Sequence, residues 1–201
     1  QKGHEYLIEQ VQHTGNDATG EAGSEKQIRL SYNHPVKELV WCLTEGKVDA
    51  TNLWNLSSNA SAAAGFGAAG AVAPHLAGAP FLASPAPKDF AEDSAGRLDT
   101  FKLVLNGQDR FKEQGGKYFN QVQPFYHHSG VPVTGVYSYS FALKPEEHQP
   151  TGTCNFSRID NAQVAVKTRS GGTAANTQEM FAVNYNVLRI QSGMGGLAFS
   201  N

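Results

Sequence analysis

Apolar and polar residues alternate with a period of two through most of this chain, the period of strands that bury one face. Residues 5 to 13, Glu-Tyr-Leu-Ile-Glu-Gln-Val-Gln-His, predict a first strand, and residues 14 to 26 predict a loop by composition. Ile28, Leu30 and Tyr32 alternate with Gln27, Arg29 and Ser31 as a second strand before Asn33-His34-Pro35 turns the chain. Residues 36 to 43, Val-Lys-Glu-Leu-Val-Trp-Cys-Leu, end apolar on both faces, as a strand buried between two sheets does, with Trp41 as its core anchor. The pattern resumes at Arg97, where Phe101, Leu103 and Leu105 line one face opposite Leu98, Lys102 and Val104, and Asn106-Gly107 makes a tight turn. The aromatic stretch 108 to 130 lacks strand period and predicts a short helix near 117 to 122. Strands at 134 to 143 and 159 to 167 follow, and Gly171-Gly172 opens a loop. In a last long strand, 180 to 190, the apolar face passes from Phe181, Val183, Tyr185 and Val187 to Leu188 and Ile190, which predicts a bulge. The Gly-rich tail from 192 is too short for a further element.

Seven or eight strands without a strong helix pattern predict an all-β, antiparallel sandwich. Long strands with one large end loop suit a jelly roll, while patterning alone leaves an immunoglobulin-like sandwich or a lectin open. The large loop is the main shift in composition, for residues 50 to 87 contain no Asp, Glu, Lys or Arg. Gly65, Gly67, Gly70, Pro74, Gly78 and Pro80 interrupt it short of the ~20 residues that a membrane-spanning helix needs. An uncharged loop this long is expected to pack on its own domain or on a neighbouring subunit.

The 201 residues allow one domain, 1 to 201, with an insertion at about 50 to 91. Gln1, in place of an initiator Met, suggests that the chain begins inside a longer protein. A net charge of −2 without a Lys/Arg cluster argues against direct nucleic-acid binding. Cys42 and Cys154 match no metal or redox spacing and read as reduced, small core residues.

Candidate chemistry is thin. His127, His128 and His148 with Glu146 and Glu147 are metal-ligand types, but adjacent histidines on a strand point to opposite faces. Ser157, Arg158 and Asp160 lack the histidine base that a serine nucleophile needs. If extended, Arg158 and Asp160 share a face and could fix a corner as an ion pair. Asn55 and Asn59 are weak N-glycosylation candidates, whereas Asn155, in Asn155-Phe-Ser157, reads as a turn residue.

The stretch 141 to 160, Phe-Ala-Leu-Lys-Pro-Glu-Glu-His-Gln-Pro-Thr-Gly-Thr-Cys-Asn-Phe-Ser-Arg-Ile-Asp, is a structured corner between two strands, punctuated by Pro145, Pro150 and Gly152. It resembles the signature loop of the major capsid proteins of nucleocytoplasmic large DNA viruses, the iridovirus and large algal virus type. Leu-Asn-Gly-Gln-Asp-Arg-Phe at 105 to 111, Val-Asn-Tyr-Asn-Val-Leu-Arg at 183 to 189 and the closing Ser-Gly-Met-Gly-Gly-Leu-Ala-Phe-Ser-Asn at 192 to 201 are similar to the same family in the same order. The resemblance selects the jelly roll, and implies that this is the C-terminal one of a tandem pair. It further implies a structural virion protein, three copies to a capsomer of pseudo-sixfold outline, in an icosahedral shell around double-stranded DNA. Neighbouring capsomers and minor capsid proteins are the implied partners, and the virion, assembled in the host cytoplasm, the implied location. No catalysis, cofactor or metal is expected. The signature corner's structural residues are then Pro145, His148, Pro150, Gly152, Asn155, Arg158 and Asp160. A glycan-binding jelly roll using Trp54, Tyr126 and His128 is the alternative, and a cupin-like enzyme the third reading.

Overall fold

The computed structural model describes residues 3–21, 23–45, 96–132, 135–169 and 176–199. The insertion at 50 to 91, with Trp54, Asn55 and Asn59, and Gly171-Gly172 lie outside them. The described chain builds two antiparallel sheets. The first contains β1 (His4–Gly20), β10 (Asn176–Gln191), β3 (Pro35–Glu45) and β7 (Val136–Ser140) in that order, with β8 (Cys154–Asn155) against β3 and β11 (Met194–Leu197) against β10. The second is β2 (Glu25–Leu30), β9 (Ala162–Thr168), β4 (Leu98–Leu105) and β5 (Gln108–Asp109), with β6 (Gln114–Gly115) also on β4. Taken in chain order, β1, β2, β3, β4, β7, β9 and β10 thus alternate between the sheets. This is the interleaved order of a jelly roll, its fifth position reduced to the short strands β5 and β6 beside β4.

The core lies between the sheets. Trp41 is 1% exposed and stacks on Phe101 at 4.3 Å between ring centroids, with Phe119 and Tyr137 closing around it. Leu39, Leu43, Leu98, Leu103, Val164 and Val166 complete the centre.

Bulges explain most departures from the sequence pattern. Leu98 faces the core together with Phe101 and Leu103, because Asp99 is skipped in the pairing of β4 with β9 and the residues before it change face. Residues 14 to 20 belong to β1 despite their loop-like composition. Register shifts at His13/Asn16 and Ala18/Gly20, with Gly15 at φ 106°, let Gly, Asn and Asp follow β10 along its length. In β10 it is Gln178, Met180 and Ala182 that turn inward, continued by Asn184 and Asn186, so the apolar set Phe181, Val183 and Val187 lies on the other face. The expected bulge there belongs to β3 instead, where Lys37 is the extra residue between Val36 and Glu38 opposite Asn184 and Val183. The tail does form an element, since β11 pairs Met194 through Leu197 with Gln191 through Leu188. Asn106-Gly107 is the tight turn expected, both residues having positive φ, 50° and 79°.

The aromatic stretch forms a π-helical turn, Tyr118–Val122, that runs directly into α1 (Gln123–His127), longer than the sequence suggested. Phe119 anchors it in the core. It lies along β7, the edge strand of its sheet, where Asn120 Nδ2 donates to Val136 O (2.8 Å) and the Ser140 N–H donates to Gln123 Oε1 (3.2 Å). Two side-chain amides therefore close backbone groups that an open edge would offer to another chain.

Candidate functional site: the signature corner

The corner begins where β7 ends, and it is fixed to β3 by backbone. The N–H groups of Phe141 and Ala142 both donate to Lys37 O, at 2.9 and 3.2 Å, so the bulged residue of β3 carries the start of the corner. Thr151 brackets the loop by accepting from the Lys144 N–H (3.0 Å) and donating to Lys144 O (3.3 Å) through one hydroxyl. Pro145 is buried, while His148 and Pro150 are exposed at the loop's tip.

Gly152 has φ 147°, and a Cβ there would lie 2.8 Å from Phe141 O and 3.3 Å from Ala142 Cα. Only glycine allows the returning strand this close to the outgoing one. Cys154 and Asn155 then pair with Val36 and Pro35. Asn155 Oδ1 accepts from the Ser157 N–H (3.1 Å) and caps a 3-10 turn, Phe156–Arg158. Ser157 Oγ accepts from the N–H of His34, whose φ is 65°, and the Phe156 N–H donates to His34 O. Phe156, 3% exposed, packs edge-on against Tyr32 and Phe141.

That 3-10 turn breaks the extended run on which an Arg158–Asp160 pair depended. Both side chains are exposed and form no ion pair among the described residues. The two cysteines are free and only half-buried, which corrects their reading as core residues; Cys42 lies on the outward side of β3, and Cys154 packs at the margin of the core. The histidines are dispersed. His127 Nδ1 lies 3.0 Å from Leu143 O, His128 Nε2 meets Glu38 Oε2 at 2.8 Å, and His148 Nδ1 is 3.6 Å from Glu9 Oε1. No group of three or more His, Cys, Asp or Glu is placed to hold a metal among the described residues. His128 turns inward to Glu38 while Tyr126 is exposed, so the two do not form one sugar-binding face.

The other motifs are tied to the corner or to one another. The Asn161 N–H donates to Asn106 Oδ1 (3.1 Å) and the Asn106 N–H to Asn161 O (2.7 Å), joining the corner's exit to the Asn-Gly turn. Asn184 and Asn186 are buried polar residues that the strand pattern did not single out. Asn184 Oδ1 accepts from Gln12 Nε2 (2.9 Å), and Asn186 Nδ2 donates to Gln10 Oε1 (3.0 Å) and to Phe199 O (2.9 Å). The Gln12 amide also pairs in both directions with the backbone of Asn33. Gln10 and Gln12 on β1 and Asn184 and Asn186 on β10, alternate residues of two paired strands, were the sequence signal for these diagonal bonds, legible only once the register is known.

These bonds fasten the corner to β3 and to the Asn106-Gly107 turn, and β1 to β10. The sequence profile of the large eukaryotic DNA virus major capsid protein family matches residues 1–196. The chain is 43% identical to the major capsid protein of Paramecium bursaria Chlorella virus 1, over 98% of this chain and 49% of that protein. It is 40% identical to that of Phaeocystis pouchetii virus, over 100% and 49%. Among solved structures it resembles a chain of the PBCV-1 virus capsid, with a TM-score of 0.74 and 39% identity over 100% of this chain and 52% of that one. The chain thus spans about half the length of these relatives. The match of the family profile to nearly the whole chain and the jelly-roll likeness to the PBCV-1 capsid agree, and the chain belongs to the large eukaryotic DNA virus major capsid protein family.

Proposed function

We propose that this chain is the C-terminal jelly roll of a double-jelly-roll major capsid protein, acting as a structural block of the virion and catalysing no reaction. Three such proteins form a capsomer of pseudo-sixfold outline, and capsomers tile an icosahedral shell around a double-stranded DNA genome. The carrying observation is the likeness to major capsid proteins over the whole of this chain and about half of theirs, which leaves room for a second roll. A rigid corner and a closed β7 edge suit a subunit that must meet its neighbours through side chains at defined places. Neighbouring capsomers and minor capsid proteins are the partners, assembly takes place in the host cytoplasm, and the genome is not bound by this roll. The signature corner, with Pro145, His148, Pro150, Gly152 and Asn155, serves as its structural fastening.

Light scattering on the full-length source protein tests this. A chain well above 201 residues whose native mass is three times its denatured mass is the expected result. A stable monomer of this length would overturn it.

A further inference from the structure

The helical segment 118–127 crosses the edge of β7 as a strap, and it is fastened at both ends. At one end Phe119 is fully buried in the core. At the other, three consecutive residues are tied to two different elements. His127 Nδ1 contacts Leu143 O, His128 Nε2 meets Glu38 on β3, and Ser129 donates through both N–H (3.1 Å) and Oγ (3.2 Å) to Glu146 Oε1 of the corner. Behind this second fastening lies a pocket of about 440 Å³ between the strap and the outer side of β3 and β7. Its charged or titratable lining groups are Glu38, His128 and Glu146, and Val40, Val131, Pro132 and Val136 form its apolar wall.

We propose that His128, Glu38, Ser129 and Glu146 form a pH-set clasp that holds the strap over the β7 edge, closed at mildly acidic pH and loosened on either side. The alkaline limit comes from His128. Its hydrogen bond to Glu38 raises its pKa above the ordinary 6.5, against the lowering effect of burial. The stabilisation is therefore complete below 6.5 and disappears as pH rises through the folded value. The acid limit comes from Glu146, which the Ser129 N–H and hydroxyl hold below the ordinary 4.5. Its contribution is complete above 4.5 and disappears as pH falls through that lowered value. Loosening the strap uncovers Val136 O and the Ser140 N–H, the backbone groups that Asn120 and Gln123 close.

Amide hydrogen exchange on the full-length protein, from about pH 5.5 to about pH 9, reads the clasp directly. After correction for intrinsic rates, protection at His128, Ser129 and Ser140 falls about two- to fivefold as His128 loses its proton, the range that a partly exposed ion pair supports. Core amides of Leu103 and Val164 keep theirs. Glu38→Gln removes the pH dependence, and Glu146→Gln, at an exposed position, lowers protection at Ser129 while the fold stands. Protection that is flat with pH at all three sites, or a loss shared equally with Leu103 and Val164, overturns the proposal. The readout lies within one chain, so either result leaves the capsomer assignment to its own test.

Discussion

The Lys37 ammonium lies 2.8 Å from the Glu9 carboxylate, although only 3% of the Lys37 side chain is exposed. Lys37 on β3 and Glu9 on β1 flank β10, so the pair spans the outer face of that strand, with the ammonium 5.4 Å from the centre of the Tyr185 ring. Its place follows from the bulge. As the unpaired residue of β3, Lys37 sends its carbonyl to the corner and its side chain across the sheet.

The two partners should respond differently to substitution. Glu9→Gln leaves a buried ammonium without its counter-charge and should destabilise the domain by about 1–3 kcal/mol, discounted because Glu9 is itself partly exposed. Lys37→Met keeps the stem's packing, removes the buried charge and should cost less. Urea unfolding of both variants checks the order, and a larger loss for Lys37→Met would refute this account of the pair.

Gly152→Ala should destabilise the fold by about 1–3 kcal/mol, since the new methyl group meets the Phe141 carbonyl in a backbone conformation that suits only glycine. Gly107 is the control. It also has positive φ, 79°, but a Cβ there meets nothing within 4 Å, so Gly107→Ala should cost about 1 kcal/mol. Equal thermal shifts for the two variants would mean that close approach at the corner contributes nothing.

Asn120→Ala and Gln123→Ala each remove an amide that closes the β7 edge, at about 0.5–1.5 kcal/mol per lost hydrogen bond. The more telling effect is on association. The double variant should aggregate on partial heating more readily than a variant of matched stability altered in the core, such as Val166→Ala, because it presents a strand edge. Sedimentation profiles that match between the two would argue against an edge-closing role.

Much of the molecule was legible before any coordinates. Period two placed the long strands, the Asn106-Gly107 pair gave its turn, and Trp41 was evident as the core anchor, because local sterics and the burial of one strand face act on residues near in sequence. The four ordered motifs pointed to the family.

Pairing was decided elsewhere. Residues 14 to 20 carry loop chemistry yet form strand because β10 supplies a partner for their backbone, and β11 arises in a Gly-rich tail for the same reason. The apolar face read along 181 to 187 points away from the core, because register places Met180 and Ala182 inward and brings Asn184 and Asn186 diagonally within hydrogen-bond reach of Gln12 and Gln10. The Arg158–Asp160 pair failed through a 3-10 turn that Asn155 caps, and the bulge moved from β10 to Lys37 on β3. By itself the sequence determined the alternating strands, the Asn106-Gly107 turn and the Trp41 anchor, since backbone conformation and side-chain burial there are local preferences. Tertiary structure alone decided bulge, register and outward face, because a strand's partner lies far away in sequence, and a shift of one residue exchanges its two faces.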